Sequence, residues 1–99
     1  MQLSIVIPLL NEAESLPELT AWIQKVCNQQ QYDWELIYVD DGSTDDSWEV
    51  IGRLRQADAR VKAIKFQRNF GKSAALQVAF KAACGDVVIT MDADLQDSP

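Results

Sequence analysis

Residues 3–9 read LSIVIPL, an apolar run rich in Ile and Val and of strand length. A run without regular polar alternation reads as a strand buried on both faces, the habit of parallel sheets. Three more runs follow: Trp34 to Val39 (WELIYV), Val61 to Phe66 (VKAIKF) and Asp86 to Met91 (DVVITM). Helical patterns separate them. Leu16, Leu19, Ile23, Val26 and Cys27 keep one helical face apolar, behind a capping-box pattern at Ser15 and Glu18 with Pro17 in the first turn. Ser43 and Asp46 suggest a second capping box, with Trp48, Ile51 and Leu54 as the inner stripe of the next helix. Lys72 to Ala83 is an Ala-rich helix that Gly85 should end. The order β-α-β-α-β-α-β predicts an α/β fold with a parallel sheet between helices, a Rossmann-like three-layer α/β/α arrangement. Lys62 and Lys65 on the third run suit an edge strand, where charge discourages pairing with another molecule.

The 99 residues suit one compact unit or a piece of a larger one. Net charge is −6, unevenly placed: residues 1–50 hold one base, Lys25, whereas eight bases lie between Arg53 and Lys81 with Asp58 as the only acid. An acidic chain is a poor general binder of nucleic acid, so a phosphorylated ligand needs a local base or a metal. Histidine is absent, which excludes a Ser-His-Asp triad and a His-ligated zinc within this chain. Cys27 and Cys84 form no C-x-x-C unit and read as buried free thiols of a reducing cytosol. The first residues lack a basic n-region and Pro8 interrupts their apolar stretch, against a signal peptide. The expected location is cytoplasmic.

In parallel α/β sheets, ligands bind beyond the carboxyl ends of the strands. After the four runs come Asn11-Glu12, Asp40-Asp41, Arg68-Asn69 and Asp92-Ala93-Asp94. Asp92 and Asp94 fall on the same side if the extended backbone continues, and two convergent carboxylates suit Mg2+ or Mn2+ with water and phosphate oxygens completing the shell. The plain alternative is a solvated acidic loop. Asp40 and Asp41 face different ways, so one can accept hydrogen bonds from a nucleobase while the other serves the turn at Gly42. Gly71-Lys72-Ser73 invites a P-loop reading, but that motif requires glycine where Phe66 stands. Lys72 at a helix start, and Arg68 before it, can still meet phosphate. Glu12 is a candidate for ribose hydroxyls. Trp22, Trp34 and Trp48 are expected in the core.

The segments SIVIPLLNE, YVDDGSTDDSW, RNFGKSAALQVAF and GDVVITMDADLQDSP together resemble family 2 glycosyltransferases of the GT-A fold. The branch they resemble is the dolichol-phosphate mannose synthase-like and bactoprenol glucosyltransferase-like group. The resemblance implies inverting transfer of a sugar from a UDP- or GDP-sugar, to a polyprenyl phosphate or a growing glycan, at the cytoplasmic face of the membrane. It implies Pro8, Glu12, Val39 and Asp41 in the nucleoside pocket, Ala93 within a D-x-D segment whose Asp92 and Asp94 hold metal and diphosphate, and Gln96 near the phosphates. Leu10 departs from the pattern, since relatives commonly carry an aromatic residue there. Family members continue past this point with an acceptor-binding half. Residues 1–99 are therefore expected to be the donor-binding half of a truncated domain, inactive alone, with catalytic residues beyond Pro99.

Other readings weigh less. A haloacid dehalogenase-like phosphatase places its D-x-D after the first strand, and a receiver domain places its acid pair there too. Sugar nucleotidyltransferases need a glycine- and base-rich loop after strand one, where this chain has LLNEAES. A non-catalytic nucleotide-binding module stays open.

Overall fold

The computed structural model describes residues 1–93. Four strands, β1 (Leu3–Leu9), β2 (Trp34–Asp41), β3 (Val61–Phe66) and β4 (Val87–Thr90), alternate with three helices, α1 (Leu16–Gln29), α2 (Ser47–Ala57) and α3 (Lys72–Ala82). The strands form one sheet in the order β3-β2-β1-β4, every pairing parallel. The chain thus runs outward from β1 through β2 to β3, then returns over the sheet to place β4 on β1's other side.

Strand alternation sorts the apolar side chains into two layers. Leu3, Ile5, Ile7 and Leu9 of β1 and Trp34, Leu36 and Tyr38 of β2 pack against Leu16, Leu19 and Ile23 of α1 and Ile51 of α2. The opposite sides of the same strands, through Val6, Ile37 and Val39, meet Ala75 and Ala79 of α3. This is the physical content of a strand buried on both faces. Each large apolar side chain so buried contributes roughly 1.5–3 kcal/mol. Alanine on α3 keeps helix and sheet close. In the first layer the Tyr38 hydroxyl shares a 2.6 Å hydrogen bond with Thr20 Oγ1, and burial pushes the phenol up to about 12.

β3 is an edge, with Lys62 and Lys65 exposed on it as expected. Several local expectations fail. Ser15 does stand at the N-cap of α1, but in helical geometry and without a side-chain cap among the described residues; its hydroxyl instead donates to Glu12 Oε2 at 3.4 Å. The N-cap of α2 is Asp46, and Ser43 is occupied elsewhere, accepting from the Asn11 N–H at 2.9 Å. Trp22 is exposed rather than buried, because α1 turns Leu19, Thr20, Ile23 and Cys27 to the sheet. Cys84, expected in the core, is exposed in the α3–β4 link, whereas Cys27 is buried. Gly85 does not cap α3, which ends at Ala82 with an extended Ala83. Glycine is needed there for close approach: a Cβ would lie 2.5 Å from Ser4 N.

Candidate functional site

Two loops meet above the carboxyl ends of β1 and β2. Asn11, in the left-handed region at φ 55°, turns the chain leaving β1 so that its Oδ1 accepts from the N–H groups of Thr44 (2.8 Å) and Asp45 (3.2 Å). In return the N–H groups of Glu12 and Ala13 donate to Ser47 Oγ (3.0 Å) and Asp45 Oδ2 (3.3 Å). The segment that read as a capped helix start is a clasp between loops. For Asp45, burial pushes the carboxyl up, but bonds from Ser47 and Ala13 outweigh it and hold it below the usual carboxylate range.

The adjacent acids divide their work because alternation sends them to opposite faces. Asp40 is fully buried; Oδ1 accepts from the Ser43 N–H at 2.8 Å and serves the turn, while Oδ2 has no hydrogen-bond partner among the described residues. Asp41 faces α3. Its two oxygens accept from the N–H groups of Phe70 (2.8 Å) and Gly71 (3.1 Å), gripping the segment that starts the helix. The grip depends on Gly42, at φ 82°, where a Cβ would lie 2.4 Å from the Arg68 carbonyl carbon and 2.5 Å from Asn69 N. Gly71, at φ 101°, then turns the chain so that Lys72 opens α3.

The result is a cleft of about 220 Å3 lined by Pro8, Leu9, Leu10, Asp41, Asn69, Gly71, Lys72 and Asp92. A recess of about 150 Å3 adjoins it, sharing Pro8, Lys72 and Asp92 and adding Thr90 and Met91. Lys72 Nζ stands 3.1 Å from Asp92 Oδ1 across the cleft. The cleft lies where β2 and β4 diverge from β1, the switch point at which open α/β sheets take ligands. A larger hollow of about 500 Å3, lined by Arg55, Gln56, Val61 and Lys62 among others, lies at the amino end of β3 and contains no acid. Volume favours that hollow; strand direction and chemistry favour the smaller cleft.

Of the residues expected at the site, Pro8, Leu10, Asp41, Lys72 and Asp92 share this cleft. Val39 does not: its side chain is fully buried against α3. Ala93 packs into the first core layer. Glu12 and Asp40 lie on the clasp side, and Arg68 is stacked over the Phe70 ring with its guanidinium carbon 4.8 Å from the centroid. Asp94 and Gln96 lie outside the described residues. Leu9 was not singled out from the sequence, and Asn69, named there only as one of the polar residues after the third strand, lines the cleft as well.

Among the described residues no group of three acid, cysteine or histidine side chains converges on a cation position. Asp41's oxygens already hold backbone N–H groups, whereas Asp92 is exposed with one oxygen beyond its ion pair. A single exposed carboxylate on the wall of a cleft suits Mg2+ or Mn2+, which keep several waters and take the remainder of the shell from a ligand's phosphates.

Comparison with known proteins matches residues 4–99 to the Glycosyl transferase family 2 profile. The chain is 46% identical over 97 residues to the undecaprenyl-phosphate 4-deoxy-4-formamido-L-arabinose transferase of Pseudomonas syringae pv. syringae (strain B728a), covering 97% of this chain and 29% of that protein. It thus spans less than a third of that relative's length. Among solved structures, S. aureus TarS residues 1–349 in complex with UDP-GlcNAc superposes with a TM-score of 0.79 at 26% identity, over 95% of this chain and 27% of TarS. The mannosyltransferase PcManGT from Pyrobaculum calidifontis, in complex with GDP-Man and Mn2+, gives 0.74 at 26% identity, over 94% and 27%.

Proposed function

The chain belongs to glycosyl transferase family 2 and has the GT-A fold, and on that premise we propose that its cleft binds a nucleotide diphosphate sugar as the donor in an inverting transfer. Residues 1–99 form the donor-binding half in this reading. In this reading, recognition of the acceptor and the residues that assist its attack belong to the acceptor-binding half that family members carry. The observation that carries the proposal is the meeting of Asp41 and Asp92, from the ends of β2 and β4, with Lys72, from the start of α3, around Pro8 and Leu10 in a single cleft.

Each residue then has a physical role. Pro8 and Leu10 offer an apolar wall to the nucleobase; Leu10 covers its face by dispersion without an aromatic ring. Asp41 still has lone pairs beyond its two backbone bonds and can accept a base N–H at the rim. Glu12 lies on the loop side for ribose hydroxyls. Lys72 sets a positive charge against the diphosphate, and Asp92, with Asp94 and Gln96 following it, holds the metal–phosphate end. Val39 and Ala93 shape the floor from the core rather than touching the donor through their side chains. When bound, Mg2+ or Mn2+ neutralises charge on the departing diphosphate. The attacking acceptor oxygen forms its bond to the anomeric carbon as the bond to the diphosphate oxygen breaks, with inversion. A polyprenyl phosphate acceptor is supported by the Pseudomonas relative's name, and a UDP- or GDP-sugar donor by the ligands of TarS and PcManGT. With such an acceptor the reaction belongs at the cytoplasmic face of a membrane; among the described residues no helix is long and apolar enough to cross one.

Calorimetric titration with UDP and with GDP, each with and without Mn2+, tests the reading on this chain and on Asp92→Asn. Metal-dependent binding that is lost in the variant is expected. Equal binding to the variant would remove Asp92 from the site, and failure of the folded chain to bind either nucleotide would overturn the assignment of a self-sufficient donor half.

A further inference from the structure

Four ion pairs join described residues, and one of them spans the cleft. Lys72 and Asp92 meet at 3.1 Å with side chains 65% and 63% exposed, whereas the acid paired with Lys62 is wholly buried. An ion pair this open is weak and easily exchanged. Its placement also runs against local preference. Lys72 is the first residue of α3, a helix with no acid in its first turn, and a cation at a helix N-terminus opposes the macrodipole. Local rules broken in this way mark functional positions. Lys72 is also held there firmly, since Asp41 fixes the two N–H groups preceding it. Lys72 and Asp92 line both the cleft and the recess beside it, so a ligand that binds beside Asp92 there lies within reach of the ammonium.

We propose that Lys72 is an exchangeable counter-ion. In the empty cleft it neutralises Asp92; when a metal–diphosphate enters, it releases the carboxylate to the cation and turns its charge to the diphosphate oxygens. The proposal rests on the donor-site reading and adds to it an opposite sign of effect for two ligands. A pure phosphate ligand helps the nucleotide and is indifferent to metal alone. An exchangeable counter-ion competes with metal alone and helps the nucleotide.

The test uses Mn2+ alone, followed by electron paramagnetic resonance of the free ion, and then UDP or GDP with Mn2+ by calorimetry. Lys72→Met should bind Mn2+ alone up to about fivefold more tightly, the equivalent of about 1 kcal/mol for an exposed ion pair. It should bind the nucleotide with Mn2+ about tenfold more weakly. Lys72→Arg should restore both values toward the parent, and circular dichroism of each variant confirms folding. Unchanged Mn2+ affinity in Lys72→Met overturns the proposal, even where the nucleotide weakens. Tighter Mn2+ with unchanged nucleotide affinity overturns the transfer of charge to the diphosphate. Failure of the donor-site reading looks different: the parent chain itself then binds neither nucleotide, and this proposal falls with it.

Discussion

Glu35, at the amino end of the sheet, and Asp92, at the carboxyl end, are both acids paired to a lysine, yet their surroundings differ in every other respect. Glu35 is wholly buried, accepting from Ser4 Oγ at 2.5 Å, Lys62 Nζ at 2.6 Å and the Cys84 N–H at 2.7 Å; Ser4 Oγ in turn accepts from the Gly85 N–H at 2.8 Å. That network links β3, β2 and β1 to the link before β4. For Glu35, burial pushes the carboxyl up, but the bonds from Cys84, Lys62 and Ser4 prevail and hold it below the usual carboxylate range. Among the described residues Asp92 has a single, exposed partner, and Asp40 nearby keeps an oxygen without one. Buried polar groups stabilise when every one is satisfied. A polar group left with capacity is available to a ligand. The two ends therefore separate a saturated acid from an open one, and the proposed donor site draws on the open one.

The largest effect that can break this comparison comes from the glycines. Gly42→Ala adds a Cβ against the Arg68–Asn69 backbone at a residue with positive φ. A loss of about 4 kcal/mol is expected, summing overpacking and left-handed strain. Nucleotide affinity should fall with it, because Asp41's grip on Phe70 and Gly71 shifts. Gly85→Ala, crowding Ser4 instead, should cost about 2–3 kcal/mol and leave the affinity of the folded fraction unchanged. Urea unfolding and calorimetry on both variants check this; an affinity loss in Gly85→Ala would show that the ends are coupled.

Next in size is Glu35→Ala. Ser4 and the Cys84 N–H lose their acceptor, and at about 1–3 kcal/mol per orphaned buried group the expected loss is about 3 kcal/mol. It should read as a lower urea midpoint at unchanged m-value. Asp92→Ala should stay within about 0.5 kcal/mol of the parent, as surface substitutions do. Equal losses would erase the distinction between the two ends.

The smallest effect sharpens it. A carboxyl whose folded pKa is depressed contributes stability that is present above its unfolded value, about 4.3, and is lost as pH falls through the folded pKa. The parent should therefore lose stability on acidification below about pH 4.5, and Glu35→Gln should lose less over the same interval. Asp45 and Asp58 are depressed too, Asp58 chiefly by its bond from Arg60, and they act equally in both chains. The difference between the two urea-midpoint curves isolates Glu35; parallel curves would remove its charge from the account.

Much of the fold was legible because strand and helix periodicities are local. The runs at 3–9, 34–39 and 61–66 reappear as β1, β2 and β3 with few changed boundaries, and the lysines of β3 do mark an edge. That the acids after β2 and β4 gather at one end of the sheet was legible for a related reason: a parallel sheet directs all strand ends one way. What misled was local chemistry with a distant partner. Ser43 had the spacing of a cap and became the acceptor for Asn11, 32 residues away. Gly85 had the position of a helix stop and is glycine because Ser4 passes it. Trp22 is exposed because α1 turns its other face to the sheet, and Cys84 because it lies in the link between α3 and β4.

By itself the sequence determined the elements, their order and the end of the sheet at which the acids gather, since these follow from periodicity and chain direction. Only the tertiary structure decided what each of the two adjacent buried acids holds, because that depends on helix placement: α3 lies on the face to which Asp41 points, and Asp40 points to the other. The pairing of Lys72 with Asp92, 20 residues apart, likewise exists only because β4 returns beside β1.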